Sequence, residues 1–362
     1  MDSRLELAHQ WLSEFFSNAD FEISVLSDDA SFRRYFRVHY GFQRYALMDA
    51  PPDKESCHPF LAIATTWRQA GIPVPLVYAA DLDQGFMLLE DFGDVTFLNN
   101  AREQSDQLYP LALETLLPIQ QAPIPDDYPL PPFDDTMCRF ELGIFPEWFL
   151  EKLLGLSLSD EKSQLLQSTF DILAENSRTQ PQVVMHRDYH SRNLMIKEDG
   201  SLGVIDFQGA VIGPIAYDVA SLLKDCYIRW PEDKVSEWLS YYLEKLNEQR
   251  TSQEEPEIDP AEFRRWFDLI GMQRHIKVAG LFSRLSLRDG KHGYLKDIPL
   301  TLDYIIDASS RYPELAAFHQ WLQDELKPQF LQHLNSPDNA SPDTASTDNP
   351  SEDHSKDSPC AP

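Results

Sequence analysis

Residues 186–193 read HRDYHSRN, and residues 204–210 read VIDFQGA. In the first stretch an Asp stands two places after a His, and an Asn stands five places after that Asp. In the second an Asp follows two β-branched residues. Phosphoryl transfer asks for this kind of set: a carboxylate beside the attacking hydroxyl, and oxygen ligands that hold a divalent cation against the phosphates. Mg2+ suits such ligands because it prefers hard oxygen donors. Asp188 is then the candidate base or hydroxyl-orienting group, and Asn193 and Asp206 are the candidate metal ligands.

The apolar run VVM (183–185) is expected to pair with the strand that ends at Asp206, so that a hairpin gathers the three oxygens. His186 is expected inside, its ring bonded to backbone. Arg187, His190 and Arg192 are basic neighbours in an acidic chain. His190 and Arg192 either shape the loop and its surface or contact phosphate and substrate.

The chain has 362 residues, with 59 acidic against 31 basic side chains and a formal charge of -28. Nucleic acid and anionic membranes need a positive footprint, so neither is an expected partner. Cationic and neutral ligands stay open. The four cysteines, Cys57, Cys138, Cys226 and Cys360, form no CxxC pair. That spacing points to a reducing cytoplasm and no structural zinc. No run approaches the ~20 apolar residues of a membrane span. A cytoplasmic monomer is the expectation.

Apolar spacing predicts a helix over 4–17 and another from 59 to 70, the second ended by Gly71 and Pro73. Strands are predicted at 21–26, 34–40, 44–50, 76–80 and 85–90. The first ninety residues thus read β-β-β-α-β-β. Helical patterns follow at 101–121, 134–154, 159–177, 216–228, 231–249, 260–282 and 313–334, with a Pro-rich connector at 120–133. From about 335 the chain is Pro-, Ser- and Asp-rich and lacks large apolar residues. Such a segment cannot offset its ordering entropy. The expected organisation is a nucleotide-binding lobe at 1–91, a catalytic and substrate-binding lobe at 92–334, and a disordered acidic tail at 335–362.

HRDYHSRNLM (186–195) followed by GVIDFQGAVIGPIAYDVASLL (203–223) resembles the aminoglycoside phosphotransferase and choline kinase-like group. The resemblance implies an α+β, two-lobe, protein-kinase-like fold with ATP in the cleft. It implies Asp188 as base, Asn193 and Asp206 as Mg2+ ligands, and Asp218 as a buried support of the catalytic loop. A helix N-cap is the other reading of Asp218. The segments SDDASFRRYFR (27–37), MDAPP (48–52), MLLEDFGD (87–94), FELGIFPEWFL (140–150) and the stretch 271–299 narrow the resemblance. They are similar to a bacterial subgroup of anomeric kinases that phosphorylate N-acetylmuramate and N-acetylglucosamine at C1, upstream of peptidoglycan recycling. The likeness spans roughly residues 5–330.

In that frame residues 27–38 form the phosphate loop and the strand after it. Ser31, Arg33 and Arg34 are the expected nucleotide contacts there, with Glu90 and Phe92 at the far end of the lobe. Alternation puts Arg33, Tyr35 and Arg37 on one strand face and Arg34 and Phe36 on the other. Met48 stands where kinases carry a phosphate-binding lysine. Either an arginine from 33–37 replaces that lysine, with Glu55 as the nearest acidic partner, or the chain is a pseudokinase that binds nucleotide without transfer.

The acceptor is expected over the large lobe. Glu141, Phe145 and Trp148 follow i, i+4, i+7, one helical face. An aromatic beside a carboxylate can cradle a sugar, and the same residues can equally be core. Arg274, His275 and Lys277, or Arg284 and Lys291, are candidates for the lactyl carboxylate of a muramate, against a role in internal salt bridges. The expected partner is a small amino sugar. A polycationic aminoglycoside is the main rival, and a small alcohol such as choline or homoserine is a further one.

Overall fold

A computed structural model describes residues 2–18, 20–28 and 33–336. Ser31 and the tail from 337 lie outside the described residues. The small lobe is one antiparallel sheet: β1 (Glu22–Asp28), β2 (Arg34–Tyr40), β3 (Gln43–Asp49), β4 (Val77–Asp81) and β5 (Phe86–Glu90), in the order β1-β2-β3-β5-β4. Helix α1 (Ser3–Phe16), capped by Asp2, covers one face, burying Ala8 and Leu12 against Phe36, Val38, Leu47, Phe86 and Leu88. The other face, through Ala46, Met48, Met87 and Leu89, joins the main core with Phe60, Ile63 and Trp67 of α2 (His58–Gln69). Each strand therefore supplies two cores by alternation. The expected β-β-β-α-β-β order is the observed one.

The remainder is mostly helical: α3 (Phe97–Asn100), α4 (Ser105–Gln120), α5 (Asp135–Ile144), α6 (Asp160–Thr179), then α7 (Tyr217–Leu223), α8 (Glu232–Ser252), α9 (Pro260–Asp289), α10 (Ile298–Ser309), α11 (Ala316–Trp321) and α12 (Lys327–Leu334). The predicted helix at 134–154 is α only to Ile144 and continues as a π-helix, Phe145–Leu153. Helix α10 has no counterpart in the sequence-based assignment. The predicted helix at 313–334 is broken by a second π segment, Leu322–Leu326.

Between α6 and α7 lie two small antiparallel pairs, β6 (Gln182–Met185) with β9 (Val211–Pro214), and β7 (Leu194–Ile196) with β8 (Leu202–Val204). VVM therefore pairs with the strand after Asp206, not with the one before it. The reason is local. The segment before Asp206 closes a tight hairpin with 194–196, turned at Gly200 with φ +81°. A short loop closes at little entropic cost and wins the pairing. The sequence EDGS at 198–201 is the turn signal for it.

Helix α9 is thirty residues long, capped by Asp259 and ended by Gly290 in the left-handed region. It crosses the α5/π junction at Gly280. A Cβ on Gly280 would lie 2.6 Å from the carbonyl carbon of Ile144 and 2.7 Å from the amide nitrogen of Phe145. Only the missing side chain allows this backbone approach, and it brings Glu141 of α5 beside Gln273 and Lys277 of α9. Gly280→Ala should therefore destabilise the fold by about 1–3 kcal/mol. For a chain this size that is a fall of several degrees in Tm. Thermal unfolding measures it, and an unchanged Tm would contradict the packing.

Candidate active site

The loop between β6 and β7 is built on buried acceptors. Asp218, in the first turn of α7 rather than at its N-cap, accepts the backbone N–H of His186 at 2.7 Å and of Arg187 at 2.9 Å. His186 is fully buried. Its Nδ1 lies 3.3 Å from the Asp188 N–H and its Nε2 lies 3.1 Å from the Ile205 carbonyl. The amide can only donate, so Nδ1 accepts and Nε2 carries the proton. Ser191 and Tyr227 donate backbone N–H groups to the buried Asp225, 2.9 and 3.1 Å away. Two non-glycine residues of the site, Arg187 (φ +77°) and Asp206 (φ +63°), sit in the left-handed region. Such conformations persist only where the surroundings over-determine them.

This scaffold brings the three predicted oxygens together. Asn193 Nδ2 donates to the Asp188 carbonyl at 2.9 Å and to Asp206 Oδ2 at 3.3 Å. Gln208 Nε2 holds the other Asp206 oxygen at 2.5 Å. With its nitrogen engaged inward, the Asn193 carbonyl oxygen is the atom available to a cation. Burial pushes the Asp188 carboxyl up, but Lys277, His190, Arg187 and Arg274 outweigh it and hold the group below the usual carboxylate range. Asp188 is thus an ionised carboxylate at neutral pH.

Glu141 anchors two of those cations. It is buried, and its Oε1 takes Arg187 Nη2 at 2.6 Å and Lys277 Nζ at 3.0 Å, while Oε2 takes Gln273 at 3.1 Å. Glu141 is therefore a countercharge inside the lobe and is not presented to sugar hydroxyls. Phe145 is core, stacked on Phe149 at 5.1 Å. Trp148 lies under Lys152 Nζ, 3.6 Å from its ring centroid. The π-helix that starts at Phe145 breaks the i, i+4, i+7 face on which a sugar platform was expected.

A cleft of about 520 Å³ lies between the lobes. Tyr35, Ala46, Leu89 and Glu90 line it from the sheet, Phe92 from the connection, and Asn193 and Asp206 from the large lobe. Gly203 lets the Phe92 ring settle on β8, since a Cβ there would lie 2.4 Å from the ring. The Glu90 side chain pairs with Arg68 at 2.9 Å, which leaves its backbone as the part that can meet a ligand in the cleft. The sheet alternates as expected. Tyr35 faces the cleft, whereas Arg34 lies on the α1 side, paired with Asp2 and Asp49. Arg34 is thereby withdrawn from the nucleotide contacts. Arg33, just before β2, is buried and paired with Glu55, and it is not among the residues that line the cleft. Arg37 clamps the lobe connection through Asp91 at 2.6 Å and Asp94 at 2.8 Å, a role the sequence did not suggest.

The sequence profile of the Phosphotransferase enzyme family matches residues 22–260. The chain belongs to this family. Similar curated proteins include the N-acetylmuramate/N-acetylglucosamine kinase of Pseudomonas putida, 40% identical over 327 residues that cover 87% of this chain and 94% of the relative. The kinase of the same name from Neisseria meningitidis is 41% identical over 319 residues, covering 86% and 93%. An ethanolamine kinase of Plasmodium vivax is similar in structure, with a TM-score of 0.59 at 12% identity, covering 82% of this chain and 84% of that one. An ADP-bound aminoglycoside phosphotransferase gives 0.55 at 14%, covering 84% and 98%. The fold is the α+β, two-lobe, protein-kinase-like one, and the chain is a kinase.

Of the other predicted contacts, Arg192 is exposed, lines the cleft and stacks over Tyr227 at 3.6 Å. His190 stands edge-on to the same ring, 5.6 Å between centroids. His275 bonds the Lys224 carbonyl and stacks on Tyr304, so it is structural. Gln273 and Lys277, one turn apart on α9, join the site with Asp225 and Tyr217 from segments that no periodicity relates to the loop around Asp188.

Burial brings the pKa of His186 down to about 4 and that of His275 down to about 3. Both stay neutral in the folded state, while the unfolded chain binds protons below about 6.5. Each contributes stability that is present above pH 6.5 and lost as the pH falls toward its folded pKa. Asp218, raised by burial to about 7, acts in the opposite sense, with stability present below its ordinary 3.8 and lost as pH rises through about 7. Urea melts between pH 4.5 and 6 should therefore give His275→Gln a pH slope lower than the parent's by up to one proton, about 1.4 kcal/mol per pH unit. Equal slopes would mean that His275 is protonated in the fold.

Proposed function

We propose that the chain transfers the γ-phosphoryl group of ATP to the anomeric hydroxyl of N-acetylmuramate and N-acetylglucosamine, in service of peptidoglycan recycling. The observation that carries this reading is the charge around Asp188. In a chain of net charge -28, the cations that hold this carboxylate ionised are Lys277, Arg187 and Arg274, while burial lowers the pKa of the neighbouring His190 and keeps it neutral at neutral pH. A polycationic aminoglycoside, or the quaternary ammonium of choline, would meet repulsion there. A neutral or anionic sugar would not, and relatives at about 40% identity carry those sugars in their names.

Asp188 accepts the proton of the C1 hydroxyl as that oxygen bonds the γ-phosphorus and the β–γ bridging oxygen departs with ADP. A hemiacetal hydroxyl is more acidic than an ordinary alcohol, which suits a carboxylate base. The donor set of Asn193 and Asp206 fits Mg2+, which supplies charge neutralisation of the phosphates when bound. Arg33, with Glu55, takes the place of the lysine that Met48 removes. It stands immediately before β2, two residues ahead of the cleft-lining Tyr35. That substitution argues against the pseudokinase reading. Glu90 and Phe92 frame the base of the nucleotide, and His186 and Asp218 hold the loop. Cys57, Cys138 and Cys226 are buried free thiols, which suits the cytoplasm, and no helix of the described residues is long and apolar enough to cross a membrane.

An ADP-release assay with Mg-ATP and a panel of N-acetylmuramate, N-acetylglucosamine, kanamycin and choline tests the reading. Turnover of the two N-acetyl sugars alone is expected; turnover of kanamycin or choline alone would overturn it, and silence would favour the pseudokinase. Asp188→Asn should lower turnover by about 10²–10⁴-fold with the Tm preserved. Asp206→Ala should raise the Mg2+ concentration needed for half-maximal rate, and an unshifted Mg2+ titration would remove Asp206 from the metal.

A further inference from the structure

Arg274 stands in α9, one turn before Lys277, and is 3% exposed. Its Nη1 is buried without a hydrogen-bond partner among the described residues. His190 has the same defect: its Nδ1 is buried and unpartnered. The Asn193 amide lies 3.5 Å from His190 Nε2, but its two protons are engaged by Asp188 and Asp206, so His190 Nδ1 is a second unpartnered polar atom that donates in the tautomer carrying its proton there. The two groups are electrostatic neighbours of one another and of Asp188. A buried guanidinium with an unmet donor is costly, and a second unpartnered polar atom in its neighbourhood adds to the deficit. Lys277 and Arg187, by contrast, are satisfied by Glu141. The unmet donor of the Arg274 guanidinium, with the unpartnered His190 Nδ1 in its electrostatic neighbourhood, suits a carboxylate, whose two oxygens can accept from more than one donor.

N-acetylmuramate differs from N-acetylglucosamine by one acidic group, the lactyl ether on C3. We propose that Arg274, with His190 beside it, is the specificity determinant that takes this lactyl carboxylate and so anchors the acidic sugar independently of the parts the two sugars share. The proposal rests on the sugar-kinase reading above. Nothing in it makes Arg274 a catalytic residue. It acts on binding, so its signature is a ratio between two substrates.

The test compares kcat/KM for the two sugars in the full-length chain and in Arg274→Met. The ratio of N-acetylmuramate to N-acetylglucosamine should fall by about 10- to 100-fold, as expected for a lost hydrogen bond to a charged group, and chiefly through KM. An unchanged ratio, whether both sugars fall together or neither does, would overturn the proposal. A joint fall with the ratio unchanged would leave Arg274 with its place beside Asp188 alone. If Arg274→Met does not fold, the parent enzyme decides with N-acetylmuramate whose carboxyl is converted to the carboxamide. That neutral isostere should lose the same factor, and an isostere as good as the acid would overturn the proposal. If the parent turns over N-acetylglucosamine but not N-acetylmuramate, the carboxylate receptor falls and the sugar-kinase reading survives. If it turns over neither, both fall.

Discussion

In the proposed reaction the carboxylate of Asp188 has to be charged, yet it stands half-buried inside the large lobe. Charge and burial conflict, because removing a carboxylate from water costs several kcal/mol unless it is compensated. The compensation here is a set of cations, Lys277, Arg187 and Arg274, from α9 and from the catalytic loop itself. They too must be buried, and Glu141 balances two of them. The large lobe is organised by this chain of dependencies. Asp188 needs α9, α9 needs the counterion on α5, and the two helices meet only because Gly280 lets their backbones touch.

The same logic governs the loop. Its backbone N–H groups are taken by two buried carboxylates, Asp218 and Asp225, which pin the segments on either side of Asp188. Asn193 then ties Asp188 to Asp206. A loop held from its backbone leaves its side chains free for chemistry, and the left-handed backbones of Arg187 and Asp206 are tolerated because these bonds over-determine them. In the small lobe Arg33 is paired with Glu55, and Met48 of β3 is a core residue.

The kinase signature at 186–210 and the alternation of 33–37 were legible in the sequence because both are local: a fixed spacing and a period of two. What was illegible depends on contacts between distant segments. Glu141 looked like a sugar ligand because helical periodicity assumed α geometry past Ile144, where the chain turns π. VVM was paired with the wrong strand although EDGS carried a turn signal for the right hairpin. Helix α10 was missed although its buried residues Ile298, Thr301, Leu302, Ile305 and Ala308 follow helical spacing, because polar Thr301 and small Ala308 dilute that stripe in the sequence. The unpartnered polar atoms of Arg274 and His190 have no sequence signature, since they are defined by what does not surround them.

The account stands most directly on where the phosphate goes. A 31P–1H correlation spectrum of the product from N-acetylglucosamine and Mg-ATP reads that position from one sample. The account predicts phosphorus coupled to the anomeric proton, with no phosphate elsewhere on the ring. Coupling to the C6 methylene protons would contradict it, because the proton that Asp188 removes would then belong to an ordinary primary alcohol and the sugar would sit in the site the other way round.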